Sequence, residues 1–298
     1  MRFTSSIFQA LERAVLASSI ALSCFSIFGS QRANADDTPS TVSMVSRPGY
    51  STTAFDTSVQ KLPASFQGND PAVTYVNIAH NTEATKGEFE TTQQFNDRIA
   101  AAKTSPITGN LTLNSVYAFQ VDPSFVTASY DADKDQLTVN LKFVQPIGGF
   151  DSGDVDAIQL SLLETGKRSY TATNGFGAEF QVAKATDNSI NLFTTNRKDY
   201  HLKWDQHTPG FWYNFSFPMA VDIAQVAKPN MAVLAVCHLV QVKGHYVAAY
   251  QHQTTPTADS PFDLNMYDDY IAVKLNQIWI YNSDTGEVYQ RIMPKSKN

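Results

Sequence analysis

Cysteine is nearly absent: the chain has 298 residues and two cysteines, Cys24 and Cys237. No mesh of disulfides can hold this fold, so its stability must come from packing. Charged side chains are also sparse at 17 %, and acids outnumber bases 28 to 22. That balance argues against nucleic acid or an anionic lipid surface as the main partner. No Gly-Xaa-Ser-Xaa-Gly elbow, phosphate-binding loop or His-Glu-Xaa-Xaa-His helix occurs, so no single motif names a reaction or calls for a cofactor. No apolar run reaches the ~20 residues that a membrane-spanning helix needs.

The longest apolar run in the first 35 residues is Ala14 to Gly29. At ~1.5 Å per helical residue its 16 residues extend about 24 Å, short of a ~30 Å hydrocarbon core. Arg2 and Arg13 precede or open the run, and Ala33-Asn34-Ala35 places small residues where a signal peptidase cuts. Residues 1–35 therefore read as a cleavable export leader, with no membrane span left in the mature chain and a periplasmic or secreted destination. A lipoprotein site at Cys24 is the alternative, although Phe25, Ile27 and Phe28 continue the apolar run beyond that thiol. The leader holds three of the basic and one of the acidic side chains, which leaves 19 and 27 and a net charge of about −8. Only Cys237 survives cleavage.

Residues 36–69 are rich in Ser, Thr, Pro and Gly and read as a flexible segment, because they offer little apolar surface against the entropy of ordering. Residues 70–298 read as one domain. Asp70-Pro71 starts a short helix as cap and first residue, and Val73, Tyr75, Val76 and Ala79 give it an apolar face. A second helix is expected over Thr92 to Lys103, where Thr91 and Gln94 form a capping box and Phe95, Ile99 and Ala102 share a face.

Beyond Pro106 the period becomes alternating. Leu111, Leu113, Tyr117, Phe119 and Val121 share one parity, and Leu137, Val139, Leu141 and Phe143 another. Further strands are expected at Ala157 to Leu163, Glu179 to Ala183, Ile190 to Thr194 and Phe211 to Phe217. A short helix follows Pro218. Met231 to Val242 is apolar almost throughout, the pattern of a central strand covered on both faces. The phase slips between Leu275 and Ile278, which predicts a bulge near Asn276 and Gln277, and Ser283-Asp284-Thr285-Gly286 turns the chain into Val288 to Ile292. The fold class is α+β, a largely antiparallel sheet domain preceded by two short helices.

Several residue groups are candidates for chemistry. Glu88, Glu90 and Arg98 gather opposite charges at a helix entrance, a binding site or simply a cap with its ion pair. Asp131, Asp133 and Asp135 have the spacing that opens a calcium loop, but Gln136 and Lys142 stand where glycine and the bidentate acid belong, so a turn explains them and no metal is assigned. Asp151, Asp154 and Asp156 form a second acidic loop. His80, His201 and His207 are scattered, whereas His238, His245 and His252 recur every seven residues, which in strands puts the middle one on the opposite face. Cys237 and His238 point apart for the same reason, so Cys237 reads as core and not as a nucleophile. Within Phe211 to Phe217 the odd positions should face inward, leaving Trp212 with Asn214 and Ser216 outward, where an indole can stack on a sugar ring.

The run Glu88-Phe89-Glu90-Thr91-Thr92 with Phe95 and Arg98 resembles a motif that recurs in uncharacterised exported bacterial proteins, and Tyr130-Asp131-Ala132-Asp133 and Asp284-Thr285-Gly286-Glu287-Val288 are similar to its secondary landmarks. The resemblance implies location and carries no activity. The function expected is a non-catalytic binding or interaction protein of the cell envelope, with an envelope protein or glycan as partner and Glu88, Glu90, Arg98 and Trp212 as binding residues. The competing expectation is an envelope hydrolase acting on glycan or peptidoglycan through carboxylates such as Glu88 or Asp154, which requires two acids roughly 5 to 9.5 Å apart across a cleft.

Overall fold

The computed structural model describes residues 47–82, 86–144, 149–150, 157–200, 203–205 and 210–294. The leader, Cys24, the acidic loop of Asp151, Asp154 and Asp156, and His201 and His207 lie outside them. The elements are α1 (Pro71–Asn81), α2 (Thr92–Ala102), β1 (Val116–Gln120), β2 (Val126–Asp131), β3 (Gln136–Phe143), β4 (Ala157–Thr173), β5 (Glu179–Thr194), β6 (Lys203–Asp205), β7 (Gly210–Pro218), α3 (Val221–Ala227), β8 (Met231–Leu239), β9 (Val247–Gln253), β10 (Phe262–Asn282) and β11 (Val288–Ile292).

The spine is β10, 21 residues long. One edge pairs with β9 and then β8, both antiparallel, and the other with β5 and then β11. Its first half, with Asp263, Asn265, Asp268 and Asp269, carries no clean alternation, so periodicity marks only the stretch from Ile271. The expected bulge is present as a register shift between Leu275 and Gln277. β1 lies outside β8 and β4 outside β5, completing a seven-stranded sheet. β2, β3, β7 and β6 form a second sheet of four.

Two corrections to the expected class follow. The pairing of β5 with β10 is parallel, so the sheet is mixed although mostly antiparallel. Parallel neighbours need a long crossover, and here it runs through the second sheet, α3, β8 and β9. The helices are also not all N-terminal, because α3 sits between β7 and β8. Broad α+β describes the protein.

β8 is covered on both faces, as its continuous apolar sequence requires. Val233, Ala235, Cys237 and Leu239 face the second sheet, in one cluster with Leu137, Val139, Leu141 and Phe143 of β3 and with Ile271, Val273 and Leu275 of β10. Ala232, Leu234 and Val236 face the other way, with Trp279 and Tyr281, onto a cover made by Phe55, Val59, Leu62 and Phe66. That cover belongs to residues 47–69, so their reading as flexible does not hold. A few well-spaced apolar side chains suffice when the backbone is tied down as well. Asn69 N donates to Ala118 O at 2.6 Å, Leu62 N to Gly286 O at 2.8 Å, and the Tyr281 hydroxyl to Phe66 O at 2.7 Å.

β4 and β5 form one continuous hairpin where shorter, separate strands were expected. Its outer half is exposed on most of its residues, and Phe176 at the turn is 99 % exposed. On β4 the side chains of both parities are wetted from Leu162 to Thr171, so there is no alternation to read.

Candidate functional site

Gly87 to Arg98 forms a tight entrance to α2. Thr91 caps the helix: its Oγ1 accepts from Gln94 N at 3.2 Å, while Gln94 Oε1 accepts from Thr91 N at 2.8 Å. Glu90 receives Gly87 N at 3.0 Å and two nitrogens of Arg98, Nε at 2.9 Å and Nη2 at 3.0 Å. The Arg98 guanidinium beside it, and then the Gly87 amide, hold the Glu90 carboxyl below the ordinary carboxylate range. Arg98 also lies 5.3 Å over the Phe95 ring. The sequence-predicted residues Glu90 and Arg98 thus meet. Glu88 does not join them; it is exposed and makes no hydrogen bond or ion pair among the described residues.

For all this fixing, α2 has no buried residue. Phe95, Ile99 and Ala102, the face expected from their spacing, are only half-buried. Behind them is a cleft of about 200 Å³, bounded by Thr82 after α1, by Leu113, by Asn96 of α2 and Lys103 just after it, and by Gln241, Gly244 and Tyr246. The last three come from an excursion between β8 and β9, where the chain leaves the β10 edge, turns through Lys243 and Gly244 with positive φ, and returns at Tyr246 O, which accepts from Ala272 N at 2.8 Å. Sequence reasoning missed this cleft. Its only signal was the break between the apolar run ending at Val242 and the next strand.

Among the described residues, the walls of the cleft carry no carboxylate. It can hold an apolar group but offers no acid and base pair. On the outer side, Phe89 is 93 % exposed, next to Glu88.

Trp212 stands elsewhere, on the second sheet opposite Lys142, and is half-buried. Phe217 of the same strand is buried and Phe211, Tyr213 and Phe215 pack against the core. Asp131, Asp133 and Asp135 form the β2–β3 turn. Asp131 Oδ1 accepts from Asp133 N at 3.1 Å, its Oδ2 meets Lys134 Nζ at 2.5 Å, and the Tyr130 hydroxyl donates to Asp135 Oδ1 at 3.0 Å. The Asp131 and Asp135 carboxylates are engaged in the turn itself, and Asp133 enters it through its backbone N–H.

His238 and His252 share a face of the large sheet, opposite Lys274 and Met266 of β10. Eight residues at ~3.3 Å separate them by roughly 26 Å, too far for a common ion. His245 sits in the excursion. Cys237 is fully buried, and burial pushes its thiol well above the ordinary range, which leaves no nucleophilic thiolate. No helix among the described residues is long and apolar enough to cross a membrane. Comparison of the chain with protein-family models, curated proteins and solved structures gave no match.

Proposed function

We propose that this chain is an exported, non-catalytic binding protein of the cell envelope, and that the corner formed by Glu88, Phe89, Glu90 and Arg98 is its contact surface. One observation carries the reading: the corner is rigid and unburied together. A capping box and a bidentate ion pair fix the backbone from Gly87 to Arg98, yet Phe89 projects into solvent at 93 % exposure. Folding gains nothing from an exposed phenyl ring, whereas a pre-ordered aromatic with an acid beside it lowers the ordering cost of association. Export rests on the leader pattern of residues 1–35 and on the resemblance of Glu88 to Arg98 to a motif of exported proteins.

The test uses the tagged mature chain as bait against detergent-solubilised envelope from its own host. A Phe89→Ala, Glu88→Ala double variant should lose the specifically captured partner while its thermal midpoint is unchanged. Capture that survives the double substitution would refute the assignment of the corner. N-terminal sequencing of the protein from the envelope fraction should begin at Asp36, and a lipidated Cys24 would replace the cleaved-leader reading.

A further inference from the structure

The cleft behind α2 has a composition that the corner in front of it does not explain. Phe95, Ile99, Ala102, Leu113 and Tyr246 supply apolar wall. Of the polar groups, the Thr82 hydroxyl already donates to Ile78 O at 2.7 Å and Gln241 Nε2 to Gly244 O at 3.2 Å. Lys103, at the C-terminal end of α2, is the one ionised side chain of the lining, and its ammonium makes no ion pair among the described residues. In a chain with more acids than bases, this cleft is bounded, among the described residues, by one cation and no anion.

We propose that the cleft binds a small amphipathic monoanion, a carboxylate with an unbranched tail of about six to eight carbons. The tail lies along Ala102, Ile99 and Phe95, and the carboxylate meets Lys103. Size supports the class, because an apolar cavity of about 150 Å³ takes a benzene ring and this cleft is about 200 Å³. Length supports it too: Phe95 and Lys103 are eight residues apart, about 12 Å along the helix axis. Charge complementarity selects an anion over an amine, since an ammonium head would meet Lys103 and find no counter-ion among the described residues of the lining. Access needs only a small displacement of α2, which has no buried side chain to withdraw. The site is separate from the outer corner, where Phe89 and Glu88 lie outside the lining.

Calorimetric titration of the folded mature chain with octanoate, hexanoate and octylammonium tests this, alongside hydrogen exchange. Octanoate should bind one to one. Hexanoate, two methylenes shorter, should bind about sixteenfold more weakly, each buried methylene being worth about fourfold, and octylammonium should not compete. Lys103→Gln should weaken octanoate about tenfold, and Ala102→Trp should abolish binding by filling the cleft. If Ala102→Trp does not fold, exchange on the unsubstituted chain decides: octanoate should slow the amides of α2 and of residues 241–246. Absence of octanoate binding, equal binding of the ammonium, or protection confined to other elements would each overturn the proposal. Any of these would leave the contact corner standing, because capture by Phe89 and Glu88 reads a different surface.

Discussion

Arg47 closes on Asp70 through two side-chain contacts, Nε to Oδ2 at 2.7 Å and Nη2 to Oδ1 at 3.0 Å, across 23 residues of chain. Asp70 is also the cap of α1, where Oδ1 accepts from Ala72 N at 3.0 Å and Val73 N at 3.3 Å. One buried carboxylate therefore fastens both the start of the helix and the start of the segment that covers β8 and β10.

Asp70→Ala removes both fastenings and should cost about 2 to 3 kcal/mol in urea unfolding, more than a helix cap alone. Arg47→Ala should cost less, about 1 kcal/mol, because the carboxylate keeps its backbone donors and the Arg47 side chain is 57 % exposed. Equal losses in the two variants would mean that the cap contributes nothing.

Gly286 ends the turn into β11 with φ at 74°, and a methyl group there would collide with the backbone carbonyl of Leu62. Gly286→Ala should destabilise the protein by about 2 to 4 kcal/mol, from strain in the left-handed region and from displacement of residues 47–69. Limited proteolysis should then cut that segment first. A variant that melts lower but keeps the segment protected would place the damage in the β10–β11 turn alone.

How much of this was legible in the sequence depended on which side chains met apolar surroundings. Leu137 to Phe143 alternate because one face of β3 is buried, and Val233 to Cys237 run unbroken because β8 is buried on both. The Thr91 and Gln94 cap is a local geometry, so the entrance of α2 could be read residue by residue. The outer stretch of β4 meets water on both sides and leaves no pattern. The parallel partnership of β5 with β10 joins residues about 80 apart, and nothing in either strand names the other. The role of Phe55, Leu62 and Phe66 was hidden by the Ser and Thr around them. The cleft behind α2 depends on an excursion between two collinear strands, a feature of their shared partner more than of their own residues.

Asp269 of β10 lies under α1, where the Tyr75 hydroxyl donates to it, and burial holds its carboxyl above the ordinary range despite that bond. The native state then keeps a proton that the unfolded chain has already released. Stability should fall as pH rises from the unfolded value of about 3.9 through the raised native one, and level off above it. Asp269→Asn retains an acceptor for Tyr75 and removes the titration. The variant should equal the parent near pH 3.5 and exceed it at pH 7, by up to about 1 kcal/mol once the side chain's partial exposure is allowed for. Parallel stability curves for the two proteins between pH 3.5 and 7 would count against a burial-raised Asp269 carboxyl.

The Glu90–Arg98 pair titrates in the opposite sense. Arg98 and the Gly87 amide lower the Glu90 carboxyl from its ordinary 4.5, so the pair's contribution is complete above that value and disappears as pH falls through the depressed one. Because α2 buries no residue, the loss should be local: acidification from pH 6 to pH 3 should speed hydrogen exchange in residues 92–102, after correction for intrinsic rates, beyond any change in β8. Arg98→Ala should exchange rapidly in α2 at both pH values while its thermal midpoint stays close to that of the parent, since an exposed ion pair adds little to global stability. If Arg98→Ala instead melts the whole protein early, the entrance of α2 is part of the cooperative core. The contact corner would then have to be sought away from it.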